Sequence, residues 1–125
     1  MSAGSKFKIT TKVRTALLNK PEITNLIGDR IFPVVAPMDT KGDFLIYKRD
    51  EYSKDYTKMG ISQQTCQVYV TAISESYDRS QELAYQINEA LEGKHADLKM
   101  EVFLVNASED FEDNKFIQDL LFEIK

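Results

Sequence analysis

The chain has a single cysteine, a single histidine and no tryptophan. One cysteine, Cys66, cannot close an internal disulfide, so the thiol content points to a reducing, cytosol-type setting and not to secretion. One cysteine and one histidine also fall short of the ligand set a zinc site needs. Glycines are few and scattered, and none forms a phosphate-cradling loop. Apolar runs stop after a few residues, far below the ~20 that span a bilayer. Met1 is followed by Ser-Ala-Gly-Ser, which lacks the apolar core of a signal peptide. Sixteen basic side chains against twenty acidic ones leave a net charge of −4. That balance argues against a dedicated nucleic-acid binder, though not against a protein past which DNA merely travels.

What remains is the composition of an ordinary folded protein, 42% hydrophobic and 29% charged over 125 residues. That length fits one domain and buries about two-thirds of the unfolded surface, enough for a core without staples. Met1–Ser5 are small and polar and read as a disordered tail, leaving residues 6–125 as a single domain. From Phe7, the spacing of Val13, Ala16 and Leu17 predicts a helix with Lys6, Lys8, Lys12 and Arg14 mostly off its apolar face. Pro21 opens a short helical turn to Ile27, and Gly28 stops it. Arg30–Pro33 reads as a short extended piece and Val34–Asp43 as a loop.

Phe44–Arg49 is a strand whose nearly continuous apolar start predicts cover on both faces. Asp50–Lys58 shows no clean period and reads as the flexible arm of a long hairpin. Its return strand, from about Ile61 to Ile73, alternates cleanly, with Cys66, Val68, Val70 and Ala72 on one face. Tyr77–Glu92 is an amphipathic helix with Leu83, Ala84, Ile87, Ala90 and Leu91 toward the core. Asp78 and Gln81 offer a start resembling a capping box, and Gly93 offers the stop. Leu98–Val105 and Lys115–Lys125 alternate again, joined by an acidic loop over Glu109–Asn114. The order predicts an α+β fold: a mainly antiparallel four-to-five-stranded sheet, two helices packed on one face and a long projecting hairpin loop.

No residue pattern here carries catalysis, a cofactor or a metal. His95 sits in a polar connector without a nucleophile or orienting carboxylate beside it, and reads as an exposed loop histidine. Cys66 lies on the inward face of a strand and reads as core. Glu109, Asp110, Glu112 and Asp113 lack calcium-loop spacing and read as a solvated hairpin tip. One patch stands out: Tyr52 and Tyr56 interleaved with Lys48, Arg49, Lys54 and Lys58. Tyrosine and arginine are enriched at interface anchors, so the arm reads as a protein–protein contact. Two other readings stay open, a stacking platform for single-stranded nucleic acid and a surface loop with no partner. Asp50, Glu51 and Asp55 nearly cancel the patch's charge, which weighs against nucleic acid.

Three stretches together are similar to the tail-completion (tail terminator, or tail-to-head joining) proteins of long-tailed bacteriophages. They are Ile23-Thr-Asn-Leu26-Ile27-Gly28-Asp29-Arg30-Ile31-Phe32-Pro33, then Phe44-Leu45-Ile46-Tyr47-Lys48-Arg49, then Cys66-Gln67-Val68-Tyr69-Val70-Thr71 leading into Tyr77–Gly93. The resemblance runs from about Val13 to Lys125. It departs at Phe44, preceded by Gly42-Asp43 where the family often has proline. The resemblance implies no enzyme and no catalytic residues. It implies a structural ring, usually a hexamer, on the last ring of the tail tube, which halts polymerisation and meets the head connector. The expected partners are further copies of the chain, the major tail tube protein and the head-tail connector, with no membrane and no specific nucleic acid. The expected location is the virion tail, after assembly in the host cytoplasm. Asp29 and Arg30 are read either as a local ion pair or as a subunit contact. A head-side connector and a small monomeric binding module are the alternative readings.

Overall fold

The computed structural model describes residues 8–57 and 60–125, and over 51–65 it describes the backbone. Met1–Ser5, read as a disordered tail, and also Phe7 and Lys58, lie outside the described residues. Three helices and six strands follow in the order α1 (Ile9–Leu18), α2 (Pro21–Ile27), β1 (Ile31–Pro33), β2 (Phe44–Thr57), β3 (Gly60–Ser74), α3 (Tyr77–Leu91), β4 (Gly93–His95), β5 (Met100–Glu112) and β6 (Lys115–Ile124). The strands form one mixed sheet, ordered β1-β2-β3-β6-β5-β4. β1 runs parallel to β2, and the other neighbours are antiparallel.

The expected α+β class is therefore right, but the counts are not. Pro21–Ile27 is a helix in its own right, which makes three helices instead of two. It opens on Pro21 and closes at Gly28, whose φ is 62° and whose amide reaches the Thr24 carbonyl at 2.7 Å. The three-residue strands β1 and β4 bring the sheet to six. Neither carries enough residues for a period to be legible.

One face of the sheet builds the core. The alternation in β3 places Cys66, Val68, Val70 and Ala72 inward, all fully buried. Register sets them against Ile124, Phe122, Leu120 and Gln118 of β6. Leu83, Ile87 and Leu91 of α3 and Ile9, Val13 and Leu17 of α1 close over this face. Each such side chain taken from water contributes roughly 1.5–3 kcal/mol. The α3 cap differs from expectation. Ser76, not the Asp78/Gln81 pair, is the N-cap, and its hydroxyl accepts from the Arg79 amide at 3.4 Å.

Both hairpins are longer than their composition suggests. β2 continues through the supposed flexible arm to Thr57, paired with Gly60. Register shifts at Arg49/Glu51 and Asp55/Tyr56 explain why no two-residue period could be read, since a bulge resets the alternation. The acidic segment is likewise strand up to Glu112. The turn is only Asp113 and Asn114, with φ of 54° and 62°, the paired positive values of a type I′ hairpin. Acidic residues are poor strand formers. Here tertiary partners override that preference: Phe111 meets Phe116 at 4.9 Å, and Tyr77 meets Phe116 edge-on at 5.5 Å. His95 is not in an exposed loop; it lies in β4, half-buried, with Nε2 2.6 Å from the Leu91 carbonyl.

Candidate interface: open face, free edges and projecting ribbon

Among the described residues, no helix covers the second face of the sheet. Lys48, Tyr69, Thr71, Asp119 and Leu121 point to it, and the curl of the sheet makes a concavity of about 440 Å³ there. Thr71 donates to the Asp119 carboxylate at 2.7 Å, and the Lys48 ammonium lies 5.8 Å from the centre of the Tyr69 ring. At one end of this face Phe44 is buried, against Phe32 at 6.2 Å and below the Lys115 ammonium at 5.5 Å. The expected cover on both faces of the β2 start thus holds at Phe44 and Leu45 and lapses at Lys48, which is exposed.

Among the described residues, both outer long strands run past their short neighbours with no further strand beside them. β1 covers β2 only from Leu45 to Tyr47, and β4 covers β5 only from Met100 to Val102. β6 covers β3 only from Cys66 to Ser74. Residues 53–57 and 60–65 therefore leave the sheet as a two-stranded ribbon with no third strand among the described residues. Unpaired edges are templates for another chain.

The residues read from the sequence fall in two places. Lys48 and Arg49 are exposed on β2 where it leaves β1, and Tyr52 and Tyr56 lie further along the same strand, paired with Cys66 and Ile61. Lys58 lies outside the described residues. Asp29 and Arg30 sit apart, in the turn from α2 to β1. The expected ion pair between these two is not formed. Arg30 reaches across the loop instead, Nε donating to the Asp43 carbonyl at 2.8 Å. Its guanidinium packs over Gly42, where a Cβ would come within 3.2 Å and where φ is 81°.

Two features went unread in the sequence. Asp43, nearly buried, receives Arg79 Nε at 2.8 Å, and that bond raises the guanidinium pKa. The base of loop 34–43 is thus clamped by two arginines while its tip displays Val34, Val35 and fully exposed Met38. The apolar run Val34-Val35-Ala36-Pro37-Met38 was the available signal. Second, Glu109 joins α3 to the β5–β6 hairpin. Gln118 Nε2 donates to it at 2.7 Å and the Tyr77 hydroxyl at 2.8 Å. These bonds hold the Glu109 carboxyl below its ordinary range, Gln118 having the larger effect, and push the Tyr77 hydroxyl up.

Cys66 is buried on the opposite face and His95 is spent on a carbonyl in β4. Among the described residues no three His, Cys, Asp or Glu stand together to hold a metal, and no helix is long and apolar enough to cross a membrane. The arrangement offers strand edges, a ribbon and a shallow polar concavity, which are means of contact.

Comparison with known proteins bears on what is contacted. A family profile described as Tail completion protein gp17 matches residues 11–119. No curated protein matches the chain. Among solved structures, a chain from the virion of a native gene transfer agent particle aligns with a TM-score of 0.76. The alignment covers 90% of this chain and 89% of that one at 17% identity, a likeness of fold.

Proposed function

The chain belongs to the tail completion protein gp17 family, a family of structural phage tail proteins and not of enzymes, and on that premise we propose that it closes the tail tube as a ring. The ring stops further polymerisation of the tube and offers its other side to the head connector. Six copies of the chain meet laterally through sheet edges and helix faces.

The observation that carries this reading is the sheet's pair of open edges, on opposite sides of one subunit. A contact between two different surfaces around a rotation axis closes a ring instead of growing a filament. The β2–β3 ribbon, with Lys48, Arg49, Tyr52 and Tyr56 along β2, reaches to the adjacent subunit or to the tail tube ring. Asp29 is exposed in the α2–β1 turn, apart from the ribbon, whereas Arg30 is committed to its own loop. With −4 on each chain, the ring is net acidic and does not grip passing DNA, since gripping needs cations that release counterions.

Mass measurement in solution over a range of concentrations, with and without tail tube protein, tests the reading. A ring-sized species, formed alone or on tube ends, is the expected result. A chain that stays monomeric at high concentration and does not bind tube protein would overturn it. Salt-sensitive binding of single-stranded DNA by that monomer would point instead to a binding module.

A further inference from the structure

The loop between β1 and β2 is built as a tied-down apolar prominence. Val34, a β-branched residue, holds a φ of 65°, a region such side chains rarely enter. The Val35 amide reaches back across it to the Pro33 carbonyl at 2.6 Å, closing a γ-turn of the rare, strained hand. Strain of this kind persists only where the surroundings fix it. Here the Val34 amide is tied to the Tyr47 carbonyl at 2.8 Å, the Thr40 amide and hydroxyl to the Pro37 carbonyl, and Asp43 to Arg30 and Arg79. The side chains so displayed find little cover inside the subunit: Val34, Val35 and Met38 are 67%, 71% and 103% exposed.

The other end of the sheet has a matching surface. Phe103 and Val105 are exposed on β5 directly beyond the stretch that β4 covers. With the three loop residues they make five of the nine large apolar side chains exposed among the described residues. Of the remainder, Tyr77 and Phe111 pack on Phe116, and Leu26 and Tyr85 lie on separate helices. Exposed apolar groups gathered in one place mark contact sites, whereas scattered ones need no explanation. Resting on the ring reading, we propose that the 34–38 loop of each copy docks on the Phe103–Val105 end of the next copy's sheet.

Sheet order and charge choose this occupant. Strand order puts β1, from which the loop leaves, at one end of the sheet and β5, beside the terminal β4, at the other. A prominence at one end and a seat at the other join identical copies head to tail, the contact that can close a ring. Two loops set against each other would bury the prominences and leave both seats uncovered. Asp39 stands exposed beside Met38, and the loop's own cation, Lys41, adjoins the clamped Gly42-Asp43. At the seat, a hollow of about 300 Å³ is lined by Ala96 and Met100 and by the cations Lys94, Lys99 and Lys125, with Glu101 as the one acid. The Lys125 ammonium joins the two parts of the seat, lying 5.4 Å from the centre of the Phe103 ring. A carboxylate brought against these cations orients the apolar contact.

Crosslinking and assembly test the docking. The double variant Met38→Cys/Val105→Cys, treated with a short bismaleimide after assembly with tail tube protein, is expected to give a ladder of covalent multimers. Neither single variant nor the native chain, whose Cys66 is buried, is expected to give any. Dimers from either single variant would mean that like ends meet, and would overturn the proposal. A ring of normal mass without a ladder would overturn the docking while the ring reading stands. Failure of the native chain to assemble or to bind the tube would strike the ring reading itself. Met38→Asp is expected to keep the monomer's melting temperature and to raise the concentration needed for assembly by about tenfold or more; unchanged assembly would contradict the contact. Val34→Gly relaxes the strained turn and should melt no lower while assembling more weakly. A fall in its melting temperature would show that Val34 serves its own subunit and would overturn its place in the contact.

Discussion

The two faces of the sheet are made by alternate residues of the same strands, yet they have opposite fates. Phe122 and Leu121 are neighbours in β6; the first is buried to 1% exposure beneath α1 and α3, and the second is half-exposed over the open concavity. The covered face holds the fold together. On the open face, apolar groups are either self-covered, as Phe44 is by Phe32 and Lys115, or left at a surface. A protein that assembles has to keep its stability and its contacts on separate groups, and strand alternation does this with no extra structure.

Substitutions can test how complete that separation is. Phe122→Ala is expected to cost about 3–5 kcal/mol, by loss of buried area and the cavity left behind, and Leu121→Ala about 1 kcal/mol; urea melts of the two would measure the contrast. Equal costs would mean the open face is also core. Lower in the order, Asp43→Ala releases Arg79 and one of the two ties on loop 34–43. Faster hydrogen exchange at the Val34 amide, which bonds the Tyr47 carbonyl, is the expected readout, with little change in global stability.

A smaller effect belongs to the clamp between α3 and the second hairpin. Glu109 has its folded pKa lowered, so its contribution is complete above the ordinary carboxylate range and disappears as pH falls through the folded value. Tyr77 has its folded pKa raised, so its contribution is complete below the ordinary phenol range and disappears as pH rises through the folded value. Melts of the parent and of Glu109→Gln should thus differ most near neutral pH and converge toward both extremes. The smallest effect is expected at Lys48→Gln, within about 0.5 kcal/mol, since the ammonium is exposed over Tyr69; its consequence should show in assembly and not in melting.

Legibility in the sequence followed periodicity. β3 and α3 were plain because their buried residues recur without a break, at two and at about 3.6 residues. β2 was cut short at Arg49 because a bulge resets its alternation, and β5 was cut at Val105 because bulge and acids follow together. Those two truncations hid the full length of β2 and β5, and with it how far each runs past its short outer neighbour. Asp29–Arg30 was paired by proximity in sequence, whereas the guanidinium found a carbonyl thirteen residues away.

By itself the sequence determined the α+β class, the inward set of β3, the two amphipathic helices and the tail-completion family, because local periods and short motifs carry these. Only the tertiary structure decided the sixth strand, the parallel β1, the two-residue turn at Asp113-Asn114 and which strand edges stay open. Those depend on where neighbouring strands stop, and the stopping points are set by contacts between residues far apart in the chain.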